Sequence, residues 1–255
     1  LFRSKLHTLN HKGKWFSVRG PLNLPRPPQG HPLLVQAGTS DDGRDFAAEF
    51  ADAIFTGHVI LDQARAYYDE LKSRAAAYGR NPDHVVVMPG LSTVVGRSEA
   101  EAREKEEQLQ ALMHPVVARE ILSTVLGGVD LTPYPMDGPL PPEEMLPAPP
   151  SAAKSGRKNW FDLAKRENLS IRQLALRAAH GRGKSAIVGS AQQIADYMQE
   201  WFEKGGADGF NIQPPCQPSS LDEFVELVVP ELQKRGLMRT EYSGRTLDRK
   251  STRLN

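Results

Sequence analysis

The sequence predicts an α/β fold in which parallel strands are joined by helices that cross over the sheet. Short apolar runs alternate with amphipathic stretches of helical period from about residue 33 to residue 236. The runs "PLLVQAG", "DAIFTG" and "HVVVMPGLSTVVG" are apolar along most of their length, as strands buried on both faces must be. Strands alternating with helices make parallel pairs with right-handed crossovers. The architecture is then a doubly wound sheet or a barrel.

The elements follow in order. "GKWFSVRG" alternates apolar and polar residues and predicts a short strand. Prolines at 21, 25, 27, 28 and 32 make the next segment extended and irregular. Four strand-then-helix units come after it. "PLLVQAG" is a strand of buried type, followed by the short helix "GRDFAAEFA". "DAIFTG" leads into a helix from Leu61 to Tyr78, with Leu61, Ala64, Tyr68, Leu71 and Ala75 on one face and Gly79 ending it. "HVVVMPGLSTVVG" predicts a strand broken at Pro89-Gly90. Its helix begins with a capping box from Ser98 to Glu101, and "EAEAREKEEQ" reads as a solvated face. A second capping box, Ser190 with Gln193, opens the fourth helix, whose buried stripe is Ile194, Ala195, Met198, Trp201 and Phe202. "ADGFNIQ" is the last strand, and a final helix after Ser219-Ser220 is interrupted at Pro230.

One region breaks the rhythm. Thr132 to Pro150 holds eight of the twenty prolines, too many for a helix or a sheet interior. Two amphipathic stretches, "NWFDLAKRE" and "LSIRQLALRAAH", follow it. Residues from about 126 to 185 therefore form an insertion, which can shape a binding face or merely pack.

Composition excludes several classes of function. With 32 basic and 31 acidic residues the net charge is +1, which supports neither nucleic-acid nor membrane-surface binding. No apolar run of about 18 residues predicts a spanning helix. Cys216 is the single cysteine, so no internal disulfide can form, and a cytoplasmic protein is expected. "LFRSKLHTLNHKGKWF" lacks both an apolar signal core and an initiator Met, as a mature product or a fragment would. The seven histidines include no HExxH motif, and with one cysteine no metal site is expected. No G-x-S-x-G elbow is present. "GRGKS" ends like a nucleotide-binding loop, but Ala178 stands where that loop needs glycine, and the strand-to-helix order is reversed.

The candidate binding stretch is "AGTSDDG", at the carboxyl end of the first strand, where ligands bind in parallel α/β folds. It opens a helix whose free N–H groups carry partial positive charge. Gly38 leaves the backbone open, Thr39 and Ser40 add hydroxyls, and Arg44 could add a full charge, which is the chemistry of a phosphate site. Ser40, Asp41 or Asp42 acting only as a helix cap explains the same residues, and on the residues alone the cap is favoured. Thr56, Ser92, Asn211 and Gln213 end the other strands as candidate rim groups, and His58, after the second strand's carboxyl end, could line a pocket but reads better as a surface-loop residue.

Several stretches together resemble the bacterial-luciferase-like flavin monooxygenases, in the branch of nitrilotriacetate, dibenzothiophene-sulfone and long-chain alkane monooxygenases. They are "VRGPLNLPRPPQGHPLLVQAGTSDDGRDFAAEFADAIFT", "MPGLSTVVGRSEAEAREK", "VGSAQQIADYMQEWFEKGGADGFNIQPP" and "FVELVVPELQKRGLMRTEYSGRTL". The resemblance implies a TIM-type (β/α)8 barrel, of which residues 1–247 would be the carboxyl-terminal half, about four βα units. It implies oxygenation of a small organic substrate by O2 and reduced FMN, supplied by a separate flavin reductase, in a homodimer. It places the FMN phosphate at Gly38, Thr39 and Ser40. The catalytic residues remain unassigned, because the amino-terminal half of the family barrel carries them. The alternative is a non-catalytic flavin- or phosphate-binding segment; a weaker one is an open α/β domain for a phosphorylated metabolite. Residues 248–255, ending "STRLN", depart from the family and are expected to be non-native or disordered.

Overall fold

The computed structural model describes residues 6–28, 30, 32–148, 154–181 and 186–241. Its core is a five-stranded parallel sheet: β3 (Val35–Ala37), β4 (Ala53–Thr56), β5 (Val86–Gly96), β6 (Ala186–Ser190) and β7 (Asn211–Ile212). The order is β3-β4-β5-β6, with β7 also pairing β5. Helices α1 (Asp41–Phe50), α2 (Leu61–Ala77), α3 (Glu99–Ala111) and α7 (Ala191–Glu203) follow β3, β4, β5 and β6, so the predicted alternation and parallel pairing are present.

The helix starts follow from their caps. Ser98 accepts from the Glu101 amide, while the Glu101 carboxylate takes the Arg97 N–H at 2.9 Å rather than that of Ser98. Ser190 and Gln193 make the complete reciprocal box. Apolar burial then fixes the layers. Ala47, Ala48 and Ala51 on or beside α1, and Tyr67, Leu71 and Ala75 on α2, pack over Ile54 and Val87 of the sheet. Ile194 and Ala195 of α7 pack on Val95 with Phe224, Val228 and Leu232 from the end of the chain.

Several elements differ from expectation. "GKWFSVRG" gives half of a minimal hairpin, β1 (His11–Lys12) against β2 (Ser17–Val18), and it is exposed. β3 is not buried on both faces; it is the edge strand, and Val35 is 64% exposed. β5 does not break at Pro89-Gly90 but changes partner there. It pairs with β4 through Pro89, with β7 at Gly90–Leu91 and with β6 from Ser92 onward. The last helix is continuous past Pro230, because a π-helical turn at Phe224–Val228 joins α8 (Ser219–Glu223) to α9 (Val229–Lys234).

The insertion forms a separate core. α4 (Pro115–Val125), which the sequence reading did not single out, packs with α6 (Ile171–Gly181) and α5 (Lys154–Glu167) through Leu122, Leu126, Ala164, Ile171 and Leu174. The proline-rich strap is pinned to it by backbone bonds from Ile171 to Gly138 and from Arg172 to Met136. The buried Arg157 donates to the Pro147 carbonyl at 2.6 Å. Of "GRGKS", residues 182–185 lie outside the described residues, as does the tail at 248–255. Among the described residues, no helix is long and apolar enough to cross a membrane.

Candidate functional site: the carboxyl ends of β3 and β4

The carboxyl ends of β3 and β4 lie side by side, with Ala37 paired to Phe55. The chain leaves β3 through Gly38, Thr39 and Ser40 and enters α1 at Asp41. Ser40 is the helix cap, and its Oγ accepts the Gly43 N–H at 3.2 Å. A hydroxyl that accepts one hydrogen bond keeps its own proton for donation. Capping and contact with an anion are therefore compatible at Ser40.

Two glycines let this turn lie flat on the first turn of α1. A Cβ on Gly38 would come within 3.0 Å of Gln36 Nε2 and 3.7 Å of the Gly43 Cα, and a Cβ on Gly43 would come within 3.0 Å of Ser40 Oγ.

The neighbouring charges are arranged differently from the sequence reading. Arg44 does not add a free cation: its Nε donates to the Thr39 carbonyl at 2.9 Å, and its guanidinium pairs with Glu70 of α2. It braces the turn from behind. Asp41, which would repel an anion, is drawn into an ion pair with Arg74, which also bonds Glu70 at 2.7 Å.

Tyr67 closes the arrangement from α2. Its hydroxyl donates to the Gly38 carbonyl at 3.3 Å, and its ring packs on the His58 imidazole with centroids 4.8 Å apart. The sequence reading put Tyr68 on the buried face; helical period from Ala64 to Leu71 admits either tyrosine, and the structure buries Tyr67. Tyr68 instead bonds Asp208. Burial raises the Tyr67 phenol above its ordinary pKa, with Arg44 opposing and Glu70 adding to the rise. Burial and then Arg44 lower the His58 pKa, so the imidazole is neutral at pH 7.

Three polar atoms here have no hydrogen-bond partner: Gln36 Oε1, Thr56 Oγ1 and His58 Nδ1. Each such buried group costs roughly 1–3 kcal/mol. Thr56 is 1% exposed, and it faces the helices together with Ile54. The candidate rim therefore divides between the two faces of the sheet. Phe55, one residue from Thr56, faces the other way and meets Gln213 at Gly90, where a Cβ would lie 3.1 Å from each. Ser92 is buried within β5, and Asn211 is exposed on β7. His58 is half-buried rather than a plain loop residue; its only sequence signal was its place after a strand's carboxyl end. Among the described residues, no group of three or more His, Cys, Asp or Glu could hold a metal.

Residues 1–209 match the sequence pattern of the luciferase-like monooxygenases, and the chain belongs to that family. Among curated relatives, it is 45% identical over 245 residues to N-acetyl-S-(2-succino)cysteine monooxygenase of Bacillus subtilis (strain 168), covering 96% of this chain and 55% of that protein. It is 46% identical over 243 residues to nitrilotriacetate monooxygenase component A of Aminobacter aminovorans, covering 95% and 53%. The solved EDTA monooxygenase (EmoA) from Chelativorans sp. BNC1 superposes with a TM-score of 0.74 at 32% identity, covering 93% of this chain and 53% of its own. The chain spans about half the length of the relatives it matches.

Proposed function

We propose that this chain is the carboxyl-side part of a two-component flavin monooxygenase, which uses reduced FMN and O2 to oxygenate a small organic substrate. The observation that carries the reading is the turn from Gly38 to Ser40, which leads into the amino end of α1 with Ser40 as its cap. The donor set suits a phosphate: exposed helix N–H groups, the Ser40 and Thr39 hydroxyls, and no free carboxylate from Asp41. The FMN phosphate would be held by Gly38, Thr39 and Ser40, and the bound flavin would supply the redox chemistry. The chain's own part is to fix the phosphate end, with Arg44 and Tyr67 holding the turn in shape.

The open edge at β3 supports a barrel completed by further strands, with the groups that touch the flavin ring supplied from there. A flavin reductase is the partner that delivers reduced FMN, and the assembly is a homodimer. A non-catalytic phosphate-binding segment is the second reading, favoured by the role of Ser40 as a true cap. Mixing the chain with oxidised or reduced FMN and assaying oxygenation with a reductase tests the proposal. Flavin binding without turnover is expected of these residues alone. Turnover by this chain by itself would contradict the assignment of the reacting groups to the additional strands.

A further inference from the structure

Charge is divided unevenly along this chain. All 31 acidic residues follow Ser40, while the first 40 residues hold six lysines and arginines. Lys12, Lys14 and Arg19 are exposed on and beside the β1–β2 hairpin, and among the described residues none of them makes an ion pair. Trp15 and Phe16 at the hairpin tip are 77% and 78% exposed, and Leu22 and Leu24 just beyond it are exposed too. Lys14 lies over the Trp15 ring, 4.6 Å from its centroid. This arm therefore presents cations and apolar side chains side by side, with no carboxylate among them.

A surface of the opposite character lies further along the chain. α3 holds five glutamates and two cations. Arg103 pairs with Glu99, and Lys105 pairs with Glu101 and Glu223. Glu104 and Glu107, one turn apart, are exposed and make no ion pair among the described residues. α3 ends at Leu112, which is 84% exposed, and Val116 and Val117 in the first turn of α4 are exposed as well. Acidic and apolar groups adjoin here as basic and apolar groups adjoin on the arm. Exposed apolar patches rimmed by polar groups mark association surfaces, and opposite charge selects which surfaces meet.

We propose that the hairpin arm of one copy of this chain docks on α3 and the start of α4 of a second copy. Lys12 and Lys14 then face Glu104 and Glu107, while Trp15 and Phe16 cover Leu112, Val116 and Val117. This rests on the reading of the assembly as a homodimer and is independent of the flavin site. Each chain carries both surfaces, so a two-fold axis makes the contact twice and closes the assembly as a dimer. Within a single chain the two surfaces do not cover each other, since the side chains named on both are exposed. Apolar burial supplies the attraction, and the charges set the register and reject wrong partners. Salt screens exposed charges, so this dimer weakens as ionic strength rises, whereas an apolar contact at the β3 edge does not.

Sedimentation velocity on the full chain, at low and at high salt, tests this with two charge-reversed variants. One carries Lys12→Glu with Lys14→Glu, the other Glu104→Lys with Glu107→Lys. All four positions are exposed, and circular dichroism establishes that both variants are folded. The unaltered chain is expected to dimerise, with an affinity that falls by about tenfold or more from low to high salt. Each variant alone is expected to be monomeric at concentrations where the unaltered chain is a dimer. An equimolar mixture of the two is expected to recover the dimer, because each reversed surface then meets its opposite. Variants that dimerise as well as the unaltered chain, or a mixture that stays monomeric, overturn this inference and leave the homodimer to another surface. An unaltered chain that is monomeric at both salt concentrations overturns the homodimer and this inference together. If that monomer co-sediments with phosphatidylglycerol vesicles, the arm belongs to an anionic membrane surface instead.

Discussion

At the scale of single residues, the Ser40 hydroxyl caps α1 and, in the proposed site, would also donate to the FMN phosphate. Its lone pair caps α1, and its proton remains for a ligand. Ser40→Ala should therefore lower both helix stability and FMN affinity, each by about 1–2 kcal/mol. A thermal melt and a flavin titration measure the two losses separately; a lower melting temperature with unchanged flavin affinity would reduce Ser40 to a cap. His58 adds a pH signature to folding itself. Its pKa is depressed in the folded chain, so below 6.5 the unfolded chain takes up a proton that the folded chain resists. Stability falls as pH drops from 6.5 through the lowered folded value, and His58→Gln should flatten that part of the pH profile in denaturant melts. The glycine-serine turn was legible in the sequence because its residue types are themselves the signal. Tyr67 and the true role of Arg44 were not, because both depend on which groups of α2 fall against the turn.

At the scale of elements, the strands are held in place by a buried polar clamp at their amino ends, away from the binding face. Lys72 of α2 donates to Asp208 at 2.8 Å and to the Pro82 carbonyl at 3.0 Å, while Asp208 also accepts from the Val87 N–H and from Tyr68. This ties α2, β5 and the approach to β7 together. Removing one partner from a buried pair leaves the other uncompensated, so Asp208→Ala should cost about 3–5 kcal/mol in chemical denaturation. A loss within about 0.5 kcal/mol, the range of ordinary surface substitutions, would show that the clamp is dispensable. None of it was visible in the sequence, since Lys72 and Asp208 lie far apart along the chain. The Ser98 cap, the Ser190–Gln193 capping box and the apolar face of α7 were legible because their partners are three or four residues away. The continuity of β5 was not: Pro89 reads as a breaker, yet it falls where one neighbouring strand gives way to another.

At the scale of the whole molecule, the surface is least finished on the side of β3. Leu34 and Val35, beside and in that edge strand, are exposed, Val35 at 64%. An open parallel edge with apolar flanks pairs with whatever strand is offered. Val35→Lys should therefore lower self-association of the purified chain, read as a shift toward monomer in sedimentation velocity; unchanged association would place the adhesive surface elsewhere. The α/β class was readable because alternation of strand and helix is a property of the chain alone. That β3 would be exposed was not readable from its apolar run, because burial depends on neighbours that a single segment does not name. The central claim is that the turn from Gly38 to Ser40 holds the phosphate of FMN. Equilibrium binding of FMN against riboflavin to this chain tests it most directly. The account predicts that FMN binds at least tenfold more tightly, about 1.4 kcal/mol for the phosphate. Equal affinity for the two flavins, or none for either, would contradict it.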